Sequence, residues 1–172
     1  MELDNKRAVL LVLLDLSSAF DTVDHNVLFH RMQHTFNISG NVLNWIRSYL
    51  TDRSFRVLID DAYSTAQKIP FGMPQGSVVS PMFFTYYTHP VGLILRNHEV
   101  MYHSYADDTH IYLAFDPRIP REAEHALSKL SNCIDELSLW MTANKLQLII
   151  SARRLSCSSL LLRSTQPRNF HL

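Results

Sequence analysis

Three acidic residues stand where metal-assisted chemistry could use them. Asp15 closes the apolar run Ala8 to Leu14, and Asp107-Asp108 fall between two strand-like segments, Val100 to Tyr105 and Thr109 to Ala114. A carboxylate at a strand end beside a hairpin carrying two more makes a compact set of hard oxygen ligands. Magnesium prefers such ligands and completes its shell with water and substrate phosphates. Two such ions about 3.5–4 Å apart can activate an attacking oxygen and stabilise a leaving one in an in-line displacement. The plain alternative is that Asp is a favoured turn residue and an Asp-Asp turn only turns. A second segment, Gly72-Met73-Pro74-Gln75-Gly76-Ser77, offers backbone N–H groups and an amide side chain just ahead of a helix. Such a place attracts phosphate or sugar oxygens, though the same residues also serve as a tight strand-to-helix connection. His30 and His34 have metal-binding spacing on a helix, but no third ligand accompanies them, and a solvated face is expected.

These residues need elements to hold them. The seven apolar residues ahead of Asp15 read as a buried strand. Asp24 can cap a helix over His25 to His34, and a second helix is expected over Asn41 to Leu50. Phe55, Val57 and Ile59 alternate as a half-buried strand does. Asp60-Asp61 can turn that strand into a partner ending near Ile69. Two prolines and two glycines make Pro70 to Gly76 irregular, after which Ser77 can start a helix reaching about Pro90. Ala123, Leu127, Leu130, Ile134, Leu137 and Met141 step by four and three, one apolar stripe of a helix that should lie across a sheet. Leu146, Leu148 and Ile150 suggest a last strand. The sum is an α+β domain, a sheet with helices packed on one face.

The 172 residues are 47% apolar and 19% charged, with zero formal net charge. That is ordinary for one globular domain. Neutrality counts against a complete, self-sufficient nucleic-acid enzyme, since phosphate neutralisation supplies most of the grip on a nucleic acid. Cys133 and Cys157 form no CxxC pair, and Cys133 falls among the apolar positions of its helix. A reduced intracellular protein, in cytoplasm or nucleus, is therefore expected. Lys6-Arg7, the apolar run and Ser17-Ser18-Ala19 imitate a signal peptide. Glu2 and Asp4 spoil its leading segment, Asp15 breaks its core, and the run is too short to cross a bilayer. Neither secretion nor membrane association is expected. From Leu137 onwards there is no Asp or Glu, and the Ser, Arg and Leu of the end lack a period. Residues 1–150 are thus expected to form the domain and residues 151–172 a divergent, poorly ordered tail.

Taken together, the segments resemble the reverse transcriptases of LINE-type (non-LTR) retrotransposons. Leu14-Asp15-Leu16-Ser17-Ser18-Ala19-Phe20-Asp21 matches the family's first catalytic block. Gly72-Met73-Pro74-Gln75-Gly76-Ser77-Val78-Val79-Ser80-Pro81 matches the second, and Tyr105-Ala106-Asp107-Asp108 the third. Asp21-Thr22-Val23-Asp24-His25, Asn44 to Leu50 and Trp140 to Leu146 are similar too, so the resemblance covers roughly residues 8–148.

The resemblance implies a palm, an antiparallel sheet with helices on one face, from an RNA-directed DNA polymerase. It implies two Mg2+ ions at Asp15, Asp107 and Asp108, with the Leu16 carbonyl as a further ligand. Phe20 would block a 2′-hydroxyl, Gln75 and Gly76 would lie near the incoming nucleotide, and Tyr105 near the primer end. Partners would be an RNA template, a DNA primer and deoxynucleoside triphosphates; oligomeric state stays open. Departures matter as well. Where the family continues to a Lys-Thr pair, this chain has Ile149-Ile150-Ser151-Ala152-Arg153-Arg154. Arg is a poor proton donor because its pKa is so high. Few residues precede Asp15, so fingers and thumb are expected to be largely missing and the isolated chain inactive. The alternative is a catalytically dead remnant serving at most as a nucleic-acid or protein binding module. A nucleotide cyclase is disfavoured by the Pro-Gln-Gly-Ser loop and by the lack of a Gly-Gly-acid hairpin.

Overall fold

A computed structural model describes residues 7–155, with side chains through Ser151. The chain divides into two compact units. Among the described residues, one comprises residues 7–17, 90–143 and 147–155, and the other comprises residues 18–89 and 144–146.

The first unit is a four-stranded antiparallel sheet under one long helix. Strand β1 (Ala8–Ser17) lies inside the sheet, paired with β7 (Asp108–Phe115) on one edge and β8 (Gln147–Leu155) on the other. Strand β6 (Met101–Tyr105) completes the order β6-β7-β1-β8. The pleat sends alternate side chains to opposite faces. Ala8, Val12, Leu14 and Leu16 of β1 are buried together with Thr109, Ile111 and Phe115 of β7. Helix α4 (Glu122–Ala143) packs on the sheet, and Ala8, Phe115 and Ala126 form one cluster with Leu10, Leu113 and Ala123 at its margin.

Two details of this unit differ from expectation. The buried ridge of α4 is Ala126, Leu130, Cys133, Leu137 and Met141, while Leu127 is 56% exposed. The small residues Ala126 and Cys133 take the inner positions, so the inward face is turned from the stripe of largest apolar residues. Cys133 is fully buried, and burial first, then the charge of Glu136, pushes its thiol up to about 11. Strand β8 also continues past the expected 150/151 boundary, pairing Ser151 with Leu13 and Leu155 with Val9. The rest of the expected tail lies outside the described residues.

The second unit holds helices α1 (His25–His34) and α2 (Gly40–Leu50), which pack together. Asp24 caps α1, its Oδ1 accepting from the N–H groups of Asn26 at 2.9 Å and Val27 at 3.3 Å. Four short strands follow: β2 (Arg53–Phe55) pairs with β5 (Gln67–Ile69), and β3 (Leu58–Ile59) with β4 (Ala62–Tyr63). Asp60 and Asp61 make the β3–β4 turn with φ of 45° and 63°. Both are left-handed, as a two-residue hairpin turn requires.

Helix α3 runs Ser80–Asn97 and contains Pro90, at which the two units divide. The expectation of a helix from Ser77 to about Pro90 was short at its far end: a proline removes one hydrogen bond and bends a helix without having to end it. At the near end Ser80, whose Oγ donates to the Pro74 carbonyl at 3.0 Å, opens the helix instead of Ser77. No helix among the described residues is long and apolar enough to cross a membrane.

Candidate active site

Asp15 lies within β1, not just after it, and is exposed on the face away from α4. Its Oδ1 accepts the Leu16 N–H at 2.7 Å, which steadies the carboxylate against its own strand. The β1–β7 register runs to Leu14↔Thr109, and the β6–β7 register closes at Tyr105↔Asp108. One further antiparallel step brings Asp15 opposite Asp108, and the pleat puts both on the same open face. Ala106 and Asp107 form the two-residue hairpin turn between β6 and β7. Ala106 has φ 53°, a left-handed conformation that glycine usually supplies. Asp107 is half-buried, and Tyr105 is 79% exposed. Among the described residues, none of the ion pairs engages these three acids.

Their donor set, carboxylates at one end of an open sheet face, is chemically that of a hard divalent cation. Among the described residues, no three His, Cys, Asp or Glu side chains are placed to hold a metal ion alone. Magnesium suits this arrangement, because it commonly takes one or two carboxylates and shares the rest of its shell with phosphates and water.

The second unit fastens the Gly72–Ser77 loop to the segment Phe20–His25. Gly72 N–H donates to the Val23 carbonyl at 2.8 Å and Met73 N–H to the Phe20 carbonyl at 2.7 Å. His25, 7% exposed, donates from Nε2 to the Gly72 carbonyl at 2.7 Å. Gly72 has φ +85°, and a Cβ there would stand 2.8 Å from the Asp21 carbonyl oxygen, so only glycine fits. Gln75 Nε2 donates to both Asp21 carboxylate oxygens, at 3.1 and 3.2 Å. Gly76, at φ +74°, has open space around it. Phe20, in the 3-10 turn Ala19–Asp21, is half-buried with its ring 4.9 Å from that of the fully buried Phe84. It therefore leans on the core of this unit.

The partners to which this loop is fastened were not singled out from the sequence. His25 reads there as a helix start, Asp21 as part of a motif, and Asp24 as a cap only. Yet Asp24 Oδ2 also accepts from Lys145 Nζ at 2.7 Å. Asn144 accepts at its backbone carbonyl from the Tyr87 hydroxyl at 2.7 Å, and the Arg31 guanidinium donates to Asn144 Oδ1 and to the Tyr87 carbonyl. The Lys145 ammonium holds the Asp24 carboxyl below the usual range. The signals for them were the family-like segments Asp21 to His25 and Trp140 to Leu146. His30 and His34 are exposed with rings 4.4 Å apart.

The profile of the family described as reverse transcriptase (RNA-dependent DNA polymerase) matches residues 2–170. The chain belongs to the reverse transcriptase family. Its relatives include the RNA-directed DNA polymerase from mobile element jockey of Drosophila melanogaster, 30% identical over 112 residues, or 62% of this chain and 12% of that one. The probable RNA-directed DNA polymerase from transposon BS of the same species is 29% identical over 131 residues, 73% of this chain and 14% of that one. This chain thus spans a small part, 12% and 14%, of the length of these relatives. Among solved structures, apo telomerase from Candida tropicalis truncated from its C-terminal domain matches 92% of this chain and 36% of its own, with TM-score 0.61 at 14% identity. The fold of this reverse transcriptase segment is accordingly α+β and palm-like. The residues expected from the sequence to form the site fall into two groups: Asp15, Tyr105, Asp107 and Asp108 on the sheet of one unit, and Phe20, Gln75 and Gly76 around the anchored loop of the other.

Proposed function

We propose that this chain is the palm segment of an RNA-directed DNA polymerase of a LINE-type retrotransposon, acting on an RNA template, a DNA primer and deoxynucleoside triphosphates. The observation that carries the reading is the strand register, whose next step beyond Leu14↔Thr109 brings Asp15 opposite Asp108, beside the hairpin turn. In this reading Asp15, Asp107 and Asp108, with the Leu16 carbonyl, hold two Mg2+ ions. Bound there, the ions supply charge neutralisation for in-line nucleotidyl transfer.

The chain's own residues provide position. The sheet fixes where the carboxylates stand, and the Leu16 N–H fixes one carboxylate oxygen of Asp15. Phe20, held against Phe84, takes the role of excluding a 2′-hydroxyl and so of selecting deoxynucleotides. Gln75 and Gly76 offer an amide and open backbone to the incoming nucleotide, and Tyr105 lies by the primer end. Zero net charge and the Ile149 to Arg154 departure support a second element: the 172-residue chain alone does not extend primers processively. Loss of one well-placed charged stabiliser typically costs about 100- to 1,000-fold in rate.

The test is primer extension by the purified chain on a homopolymer RNA template with Mg2+, beside Asp107→Ala, and Mn2+ binding followed by electron paramagnetic resonance. Weak Mn2+ binding that Asp15→Asn and Asp107→Asn each reduce, without processive extension, is expected. Wild-type Mn2+ binding unaffected by both substitutions would overturn the metal assignment. Robust extension abolished by Asp107→Ala would overturn the inactivity.

A further inference from the structure

Helix α2 carries an aromatic stack that is open at one end. Its buried face is Leu43, Ile46 and Leu50. Four residues apart on a neighbouring stripe, Trp45 and Tyr49 stack with ring centroids 5.5 Å apart and planes at 15°. Beyond the helix end the Arg53 guanidinium lies 5.8 Å from the Tyr49 ring centroid. Tyr49 is fixed from the side as well: its hydroxyl donates to Ser77 Oγ at 2.7 Å, and its ring meets that of the buried Phe83 edge-on at 6.3 Å. The stack is therefore rigid at its inner end and continuous with the Gly72–Ser77 loop.

Trp45 itself is 55% exposed, and among the described residues the only ring stacked on it is that of Tyr49. An indole is the largest apolar side chain, and leaving more than half of it in water on an ordered helix contributes little to the core. Its surroundings select an occupant. From Trp45 to Leu58 the sequence has Arg53 and Arg56 against one acid, Asp52, while the third arginine, Arg47, is turned onto the Phe29 ring at 4.4 Å. A flat open π-face whose backing ring carries the Arg53 guanidinium matches an unpaired nucleobase with its phosphate. An apolar protein surface would bring no counter-charge to Arg53 and Arg56. A duplex hides its base faces inside its own stack.

We propose that Trp45 is a stacking platform for an unpaired base of single-stranded nucleic acid, with Tyr49 and Arg53 as its backing and Arg56 near the phosphates. The choice of nucleic acid rests on the reverse-transcriptase reading above. That reading assigns no role to Trp45.

The experiment uses the 172-residue chain with Trp140→Phe, so that indole emission reports Trp45 alone. Oligo(U) and oligo(dT) of about 12 nucleotides, within the usual range for single-strand binding surfaces, are titrated at low salt beside a duplex of equal length. Single strands should quench the emission and the duplex should not. Measured by anisotropy of a labelled strand, Trp45→Ala should weaken binding by at least about 5-fold, the lower bound for loss of one base stack. Trp45→Phe should weaken it less, and both should leave the salt dependence unchanged, because no phosphate contact is removed. The far-ultraviolet circular dichroism of both variants checks that α2 is intact. Single-strand binding without quenching, at equal affinity in Trp45→Ala, would overturn the platform and leave the reverse-transcriptase reading standing. Absence of binding to either strand would overturn both. Self-association abolished by Trp45→Ala, with no quenching by oligonucleotide, would make the face a protein contact and overturn the platform.

Discussion

Asp24 and Lys145 are 121 positions apart in the chain and meet at 2.7 Å. The aspartate uses one carboxylate oxygen to cap α1 and the other to bind the ammonium, so a single side chain starts a helix and fastens the Asn144–Leu146 segment. The two functions separate by mutation. Asp24→Asn should keep the cap and lose the ion pair, whereas Asp24→Ala loses both, the cap alone being worth about 1 kcal/mol. Urea unfolding of the two variants checks the order. Equal losses would mean that the cap contributes nothing.

The same pair sets a pH dependence. The Asp24 carboxyl is lowered by Lys145, so its contribution is present above the unfolded carboxylate range and is lost as pH falls through the folded value. The Lys145 ammonium is raised by Asp24, so its contribution is present below the unfolded lysine range and is lost as pH rises through the folded value. The stabilisation thus spans the interval between about pH 4 and 10 and fades on both sides. Because the lysine side chain is 67% exposed, salt should weaken it. Thermal unfolding of the chain against Lys145→Met between pH 3 and 7 should show a difference that shrinks toward the acid end.

Gly72→Ala should be severe for a single methyl. The new carbon would meet the Asp21 carbonyl oxygen at 2.8 Å, at a left-handed φ that itself costs alanine roughly 1–2 kcal/mol. Amide exchange of Met73, which donates to the Phe20 carbonyl, should accelerate in the variant. Unchanged exchange would show that the loop moves aside without loss.

Ala106→Gly should act in the opposite sense. The residue before Asp107 is already left-handed at φ 53°, and relief of roughly 1–2 kcal/mol outweighs the extra chain entropy of glycine, about 0.5–1 kcal/mol. A small gain in the urea midpoint is expected, and a clear loss would place the turn in a different conformation.

Cys133 should behave as a hydrophobe. With its thiol pushed up to about 11 and no exposed surface, it should resist a thiol reagent at pH 8 in native protein carrying Cys157→Ser, and react at once in denaturant. Fast native labelling would contradict the packing of α4.

Much of this was legible in the residues, for local reasons. The Asp60-Asp61 turn needed only two residues tolerant of left-handed backbone, and α1 needed only its cap. What was not legible came from partners distant in sequence. Asp15 reads as the residue after a strand, but Ile149, Leu148 and Gln147 extend the pairing of β1 to Ser17 and draw Asp15 into the sheet. Pro90 reads as a stop because the local rule cannot see that α3 continues beyond it. In α4 a stripe of large residues drew attention to Leu127, while the helix turns the small Ala126 and Cys133 inward. At the candidate site the motifs mark the residues themselves. Their fastenings, His25 to Gly72 and Tyr49 to Ser77, join positions that no spacing rule connects.

The place of β1 inside its sheet has a consequence for how the molecule is made. The strand bearing Asp15 leaves the ribosome before its partners on either side, since β7 begins at Asp108 and β8 at Gln147. At about 5–20 residues per second, the first partner follows only after roughly 5–20 seconds. Until then the apolar run Ala8 to Leu14 has no strand to pair with in this sheet, an interval in which chaperones and stray strand edges compete for it. The earliest strand of this sheet is thus the last to gain both of its neighbours, and the setting of Asp15 is finished only when β8 has been synthesised.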